Sequence, residues 1–313
     1  MLCVYNDLLR AVDSKLVTSL VLLDLSLAFD TIEHSTLLTV LDQRFGVQES
    51  AMDWFSTYLS DRTQMFCVNA VMSRTIPVTC SVPQGSVLGP MLFISYTADV
   101  TSIFDSHQVN RHLYADDKQA YVSVPVNNVS LACQILERHH LVCASRRLQL
   151  NTAKTEIICF GSRQKLEKLT DADLTLDTGT TLIHPVKSIR DLGVHLDSEL
   201  TMKIHISSSC YHQLRRIRQV RRLVGQDLAQ QLVSAFILSR LDYCNSLLSR
   251  LPWSTVQHLQ HVMNAAARVI MNVSLRDHVK PALKQLHWLP VEQRITYKLC
   301  LFMHRIHSGQ APQ

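Results

Sequence analysis

The spacing of apolar residues predicts a helix, a buried strand and two further helices in the first sixty residues. MLCVYNDLLRAVDSKL has the period of an amphipathic helix. VTSLVLLDLS, from residue 17, is almost continuously apolar, which is typical of a strand covered on both faces. HSTLLTVLDQRFG returns to helical spacing and stops at Gly46, and ESAMDWFSTYLSDR predicts another helix.

Strand and helix patterns alternate over the residues that follow. TQMFCVNAVMSRTIPVTCSV predicts two short strands around a turn, after which Pro83 and Gly85 interrupt the chain. Five later segments predict, in order, an apolar helix, a strand–turn–strand, a helix, a strand and a short hairpin: SVLGPMLFISYTADVTSIF, RHLYADDKQAYVSV, SLACQILERHHLVCASRRLQL, KTEIICFG and SIRDLGVHLDSEL. From about residue 200 only helical patterns follow, so the sequence predicts an α+β body and then a helical region.

Charge divides the chain in the same place. Residues 1–200 carry 16 Lys and Arg against 22 Asp and Glu, whereas residues 201–313 carry 15 against 4. The basic C-terminal third favours a polyanionic partner, and the acidic body favours a site that holds cations. With 47% hydrophobic and 18% charged residues, the composition excludes wholesale disorder.

The nine scattered cysteines never show a C-x₂₋₄-C spacing, which excludes a disulfide framework and a zinc ribbon. They predict reduced, mostly buried thiols and an intracellular protein of the nucleus or cytoplasm that is not secreted. His258 and His261 have helical spacing without a cysteine or carboxylate partner, so a helix surface is the better interpretation. Neither a signal peptide nor a membrane span is predicted, because the longest apolar run is short and is broken by Asp24.

Three carboxylates stand at the ends of predicted strands. Asp24 follows the buried run, and Asp116 and Asp117 occupy the turn of YADD. Neighbouring carboxylates with little access to water repel each other, and a divalent cation compensates their charge. Oxygen ligands without nearby His or Cys suit Mg²⁺, or Mn²⁺ in its place, and two such ions about 4 Å apart serve phosphoryl transfer. The plainer interpretation of YADD is a polar hairpin turn, where Asp is common.

Four blocks, in this order and at these separations, resemble the catalytic blocks of reverse transcriptases from LINE-like (non-LTR) retrotransposons of the jockey type: LLDLSLAFDTIEH, SVPQGSVLGPMLF, YADD and LQLNTAKTEIICFG. The resemblance implies an α+β right-hand polymerase fold, with an antiparallel palm sheet and an all-helical thumb. It divides the chain into a remnant helix (residues 1–16), a palm (17–198) and a basic thumb with the C-terminal region (199–313). The resemblance also implies that the chain is an N-terminally truncated copy in which the fingers are largely absent.

Catalytic roles are implied by the same resemblance. Asp24 and Asp116 would hold the two Mg²⁺ ions, with Asp117 in support. Lys154 would protonate or neutralise the departing pyrophosphate, whereas a surface lysine at a strand start is its plainer interpretation. The substrates would be an RNA template, a DNA primer and deoxynucleoside triphosphates, and no oligomeric state is indicated.

Four further residues are implied at the nucleotide. Phe29 matches the aromatic side chain that blocks the 2′-hydroxyl of a ribonucleotide, although it also fits a core position. In PQG, Gly85 allows a close approach of the backbone and Gln84 supplies an amide near the nascent base pair. Tyr114 would pack beneath the aspartates or touch the primer end.

A basic helix is predicted by YHQLRRIRQVRRLV. Its arginines at 215, 218 and 222 share one face, and its apolar residues fall largely on another: Arg215, Arg218 and Arg222 against Leu214, Ile217 and Leu223. Such a face neutralises phosphates without reading sequence, and an ordinary solvated face is the alternative. By resemblance, this helix belongs to the thumb that grips the primer–template duplex.

One departure from the family pattern bears on the active-site loop. Ser81 stands where Gly is usual before VPQG, at a position where a φ above zero would suit only glycine well. Three functions remain in view: the polymerase, a catalytically inactive remnant that at most binds nucleic acid, and another two-metal enzyme such as a nuclease. The PQG block disfavours the nuclease, which has no nascent base pair to line.

Overall fold

The computed structural model describes residues 1–24, 29–83, 85–98, 109–114, 117–145, 151–179, 181–207 and 210–311. The chain forms two compact units: the sheet unit, Leu8–Lys187, and the helical unit, Met1–Asp7 with Ser188–Gln313. Helix α1 (Leu2–Asp13) contributes residues to both. Over the described ranges, no helix combines the length and apolar content that crossing a bilayer requires.

The sheet unit mixes strands with helices throughout, as an α+β chain does. After α1 its elements are, in chain order, β1 (Val17–Leu23), α2 (His34–Phe45), α3 (Glu49–Leu59), β2 (Thr63–Gln64), β3 (Cys67–Val68), β4 (Val71–Met72), β5 (Ile76–Pro77), α4 (Gly89–Thr97), β6 (Asn110–Tyr114), β7 (Asp117–Val124), α5 (Val129–Ser145), β8 (Glu156–Phe160), α6 (Arg163–Leu166), α7 (Asp171–Leu174), β9 (Leu176–Asp177) and β10 (Leu182–Ile183).

An antiparallel sheet of four strands in the order β6-β7-β1-β8 forms the centre of this unit. The register pairs Val17 with Val124 and Leu23 with Lys118 on one side of β1, and Thr18 with Phe160 on the other. Both faces of β1 are buried, which confirms the strand predicted from its continuous apolar run.

Helices pack on the sheet and on one another to complete the core. α5 packs on β1 and β7, and α2 packs on α3 and α4. Gly46 ends α2 as predicted: with φ +66° it donates its N–H to Asp42 O, and the Val47 N–H donates to Leu41 O. The predicted pair of strands around a turn divides into two short ladders, β2–β5 and β3–β4, whose residues are all exposed.

The helical unit begins with a hairpin and continues as helices. Its elements are β11 (Ser188–Asp191), β12 (Val194–Asp197), α8 (Lys203–Ser207), α9 (Cys210–Val220), α10 (Gln226–Val233), a π-helical turn (Ser234–Leu238), α11 (Ser239–Asp242), a 3₁₀ turn (Asn245–Leu248), α12 (Trp253–Met271), α13 (Lys280–Gln285) and α14 (Val291–His307).

Two features organise the helical unit. The predicted hairpin β11–β12 turns through Leu192 and Gly193, whose φ angles of +44° and +82° are typical of a type I′ turn. Helix α12 is the centre of the packing, since it contacts α8, α9, α10, α13 and α14 and buries an apolar face along its whole length. The pattern of helices after residue 200 is therefore confirmed in the described residues.

Candidate active site

Asp24 follows β1 directly, and a turn later in the chain fixes its backbone. The Asn151 N–H donates to Asp24 O at 2.9 Å. Asn151 O in turn accepts from the Lys154 N–H at 3.0 Å and from the Thr155 N–H and hydroxyl at 2.9 Å each. The segment NTAKT is thus a compact turn held against the end of the strand, which brings Lys154 to Asp24.

The side chains of these two residues form a long ion pair. Lys154 Nζ lies 3.6 Å from Asp24 Oδ2, with Lys154 70% exposed and Asp24 30% exposed. Asp24 Oδ2 is itself buried and, within the described part of the chain, accepts no hydrogen bond. A buried carboxylate oxygen without a hydrogen bond has capacity left for a cation.

The sheet register brings the second carboxylate block to the same end of β1. β1 and β7 pair up to Leu23 and Lys118, and continuing this register by one residue places Asp24 opposite Asp117. Directly opposed residues of antiparallel strands project on the same side, with Cβ atoms about 5 Å apart. Asp116, the predicted metal ligand, lies outside the described residues and is the neighbour of Asp117 in sequence.

The donor set fits Mg²⁺ in its chemistry. Asp24 and Asp117 offer only carboxylate oxygens, which are hard ligands of the kind that Mg²⁺ takes. In the ranges that the structure describes, no group of three His, Cys, Asp or Glu side chains forms a complete metal cage. In proteins, Mg²⁺ usually keeps several waters and takes further oxygens from a substrate phosphate.

The loop before α4 is anchored next to the first aspartate block. The Ser81 N–H donates to Ile32 O at 2.7 Å, and the Val82 N–H donates to Phe29 O at 3.0 Å. His34 Nε2 lies 2.8 Å from Ser81 O. Ser81 has φ +94°, so this position does require the conformation for which glycine is usual.

The PQG segment makes a tight turn beyond Ser81. The Ser86 N–H donates to Pro83 O at 3.1 Å and Gly85 has φ +80°, a combination typical of a type II turn. The Ser86 hydroxyl then accepts from the Gly89 N–H at 3.0 Å at the start of α4. Gln84, predicted near the base pair, lies outside the described residues.

Phe29 takes part in the core as well as standing beside this loop. Its ring packs on Phe93 with centroids 5.1 Å apart. Beyond Phe93, the ammonium of buried Lys118 lies 5.7 Å from the centroid of the Phe93 ring. The sequence indicated Lys118 only as a departure from the family pattern and gave it no role, although alternation along β7 puts it on the core face with Ala120 and Val122.

Tyr114, the last residue of β6, pairs with Asp117 in the hairpin. It is 66% exposed, which contradicts packing beneath the aspartates and leaves contact with a substrate as its predicted role.

A sequence comparison now decides the family of the chain. Residues 6–196 match the family model "Reverse transcriptase (RNA-dependent DNA polymerase)", and this range contains the sheet, the anchored loop and the carboxylates. The chain belongs to the reverse transcriptase family.

Curated relatives of this chain come from mobile elements, which confirms the resemblance to LINE-like elements of the jockey type. It is 28% identical over 71% of its length to "Probable RNA-directed DNA polymerase from transposon BS" of Drosophila melanogaster, covering 24% of that protein. It is 27% identical over 66% of its length to "RNA-directed DNA polymerase from mobile element jockey" of the same organism, covering 22%. The chain therefore spans about a quarter of the length of these relatives.

Solved structures similar to this chain include telomerases. The apo telomerase of Candida tropicalis has a TM-score of 0.45 at 12% identity, over 99% of this chain and 49% of that one. The telomerase of Candida albicans in complex with a fragment of telomeric RNA has a TM-score of 0.44 at 12% identity, over 97% and 52%. The family assignment rests on sequence.

The basic helix of the reverse transcriptase is shorter than predicted. α9 ends at Val220, so Arg222 lies in the following turn and does not share the helix face of Arg215 and Arg218, which are exposed on α9. Leu223 is 86% exposed, which contradicts its predicted place on the apolar face. The helix ends early because Gly225 and the turn before it begin a new helix, α10.

One arginine of the same segment has a structural role that the sequence interpretation missed. Arg221 Nε and Nη2 donate to the carbonyls of Val269 and Ile270 at 3.0 and 2.9 Å, and Nη1 donates to Val224 O at 2.9 Å. Arg221 therefore satisfies the last carbonyls of α12, which helix geometry leaves without partners. No sequence signal separates Arg221 from its basic neighbours.

The thiols correct a further prediction. Of the cysteines whose side chains are described, Cys133 and Cys159 are buried, and four are exposed: Cys3, Cys67, Cys80 and Cys300. Burial, with the nearby Cys159, raises the pKa of the Cys133 thiol to about 12. Burial also raises the pKa of Cys159 to about 11, although its hydrogen bond with Ser19 acts in the opposite direction. These two thiols stay protonated at neutral pH and do not act as nucleophiles.

Proposed function

We propose that this chain carries out RNA-directed DNA synthesis. In this reaction a primer 3′-oxygen forms a bond to the α-phosphorus of a deoxynucleoside triphosphate. The bond between that phosphorus and the bridging oxygen breaks, and pyrophosphate leaves. One observation supports the proposal. The sheet register and the Asn151 turn bring Asp24, Asp117 and Lys154 together where β1 ends and β7 begins, inside the region that matches the family.

Asp24 and Asp116 are the proposed metal ligands, with Asp117 beside them. Mg²⁺, when bound, supplies positive charge that stabilises the attacking and leaving oxygens. The protein's proposed contribution is position, because Asp24 directly follows β1 and Asp117 is the first residue of β7. Lys154, exposed and next to Asp24, is placed to neutralise or protonate the departing pyrophosphate.

The loop and its neighbours form the proposed nucleotide site. Gly85 lets the loop backbone approach the nucleotide, since no Cβ stands there, and Gln84 supplies an amide. Phe29, held by Phe93, blocks a 2′-hydroxyl, and exposed Tyr114 contacts the primer end. Residues 17–198 act as the palm in this proposal, and residues 199–313 act as the thumb that holds the RNA template and DNA primer.

Primer extension tests the proposal. The chain is incubated with a poly(rA)/oligo(dT) hybrid, Mg²⁺ and labelled thymidine triphosphate, beside its Asp116→Ala/Asp117→Ala variant. Asp61→Asn is the matched control, because it removes an exposed carboxylate away from the site at a φ of +54° that Asn tolerates. Incorporation by the wild type and the control, but not by the double variant, is the expected result.

A second candidate function is nucleic-acid binding without synthesis. The exposed Arg215 and Arg218 favour it, since phosphate contacts do not depend on the carboxylates. If the folded chain binds the hybrid in a salt-sensitive manner and incorporates no nucleotide, the polymerase proposal is wrong and this one replaces it.

A further inference from the structure

A cleft between α9 and α12 has an apolar floor and a cationic mouth. Its volume is about 220 Å³, and it lies wholly within the helical unit. Leu214 and Val269, both 6% exposed, form part of the floor together with Ala265. At the mouth, Tyr211 is 51% exposed and Leu275 is 73% exposed.

The cationic groups of the mouth come from one helix face. Arg215 and Arg218 line the cleft and stand one and two turns after Tyr211, so the three side chains follow one another along α9. Among the described residues that line the cleft, none is acidic. The carboxylate of Asp277, in the loop beyond α12, accepts from the Ser274 N–H at 3.2 Å.

We propose that this cleft binds an unpaired nucleobase of a single-stranded nucleic acid, with the adjacent phosphates on Arg215 and Arg218. A nucleotide combines a flat apolar ring with negative charge next to it, which matches an apolar floor below guanidinium groups. Single strands are bound in this way, by aromatic side chains that stack on bases and by arginines that follow the backbone. A duplex keeps its bases paired and stacked, so it presents only phosphates here.

This inference deepens the proposed function, because it gives the helical unit a preference for the unpaired part of a template. It nevertheless has its own readout. Binding is measured without Mg²⁺ and without nucleotide, so a chain that fails in primer extension still tests the cleft. Conversely, if the chain extends a primer but does not use the cleft, the proposed function stands and this inference is wrong.

Fluorescence anisotropy of a short labelled oligo(rA), on the full chain, is the experiment. Tyr211→Ala removes the stacking ring, and Ala265→Leu fills the floor while leaving every charge in place. We expect each to weaken single-strand binding by roughly 5- to 100-fold with an unchanged salt slope. Tyr211→Phe keeps the ring and retains wild-type affinity, which shows that the position tolerates substitution. Affinity for a blunt duplex of oligo(rA) paired with oligo(dT) of equal length stays within about twofold in all three, because every base of that duplex is paired.

Charge variants complete the test. Arg215→Ala/Arg218→Ala lowers the slope of log affinity against log salt by about 1.4, since each phosphate contact with a single strand contributes about 0.7. Arg216→Ala is the matched control, because Arg216 is exposed on the same helix and does not line the cleft. Its affinity and slope stay near wild type.

Three results would overturn the inference. One is binding by Tyr211→Ala and Ala265→Leu that equals the wild type. Another is a loss of affinity in Arg216→Ala as large as that in Arg215→Ala/Arg218→Ala, which would mean diffuse charge and no defined site. The last is that poly-glutamate displaces the RNA and that binding of poly-glutamate itself requires Tyr211. This result would make an acidic polypeptide the occupant.

Discussion

The sheet unit and the helical unit place their charged residues in contrasting ways. In the sheet unit, strands and turns far apart in sequence bring carboxylates and one lysine to a single sheet edge. In the helical unit, arginines cluster in sequence on α9 and the turn after it, and they divide between exposed positions and a helix-capping role. Phosphoryl transfer requires fixed positions, which a sheet register supplies, whereas phosphate contacts tolerate a spread of positions. Four substitutions test this contrast.

The largest effect on activity is expected from Asp24→Asn, which changes only the proposed metal site of the sheet unit. It removes the charge that a cation at the buried oxygen needs, and the loss of transition-state stabilisation is several kcal/mol. Incorporation in primer extension should fall by roughly 10³-fold or more. Affinity for the hybrid, measured by anisotropy, should stay within about twofold of wild type. Equal losses in both assays would contradict the separation of roles.

Two neighbouring arginines of the helical unit should differ in stability. Arg221→Met leaves the last carbonyls of α12 without donors, and we expect a loss of about 2–3 kcal/mol in the free energy of unfolding. Arg216→Met, on the exposed face, should stay within about 0.5 kcal/mol. Urea unfolding of the full chain measures both, and similar midpoints for the two variants would refute the capping role.

A gain of stability is expected at the loop of the sheet unit. Ser81→Gly removes the penalty of about 1–2 kcal/mol for a side chain at this φ, partly offset by the larger entropy of glycine in the unfolded chain. The net gain in unfolding free energy should be about 0.5–1 kcal/mol. Ser81→Ala is the control, because it keeps the Cβ and its strain, and it should give no gain. The Ser81 hydroxyl donates to Asp30 Oδ1 at 3.5 Å and to Val82 O at 3.3 Å, and a loss with glycine would show that these contacts outweigh the strain.

The smallest effect concerns the pH dependence of the helical unit. Burial, together with the nearby His195, lowers the pKa of His205 below its ordinary 6.5. The unfolded chain then binds this proton more readily, so this contribution to stability is present above about pH 6.5 and declines as the pH falls from 6.5 to the lower folded pKa. Denaturation midpoints measured across this window should shift less in His205→Gln than in wild type. His258→Gln, at an exposed position, should behave like wild type.

Local patterns predicted most of the elements, and long-range geometry explains what they missed. The apolar run of β1 and the helix stop at Gly46 are properties of short segments, and both are confirmed. The pairing of Asp24 with Lys154 depends on a hydrogen bond between residues 24 and 151, which no local pattern contains. Arg221 and Arg222 are neighbours in sequence, and they differ because the last carbonyls of α12 accept hydrogen bonds from Arg221. Asp116 and Gln84 lie outside the described residues, and their roles stay predictions.

The order of the strands in the sheet has a consequence for folding during synthesis. β1 is the first of the four strands of this sheet in chain order and is an inner strand, and its neighbours β7 and β8 end at residues 124 and 160. Until residue 160 has emerged, a mostly apolar strand has at least one edge unpaired, and such an edge is prone to pair with another chain. A nascent chain of this kind needs protection by a chaperone during that interval, and any product that stops before residue 160 should aggregate when it accumulates.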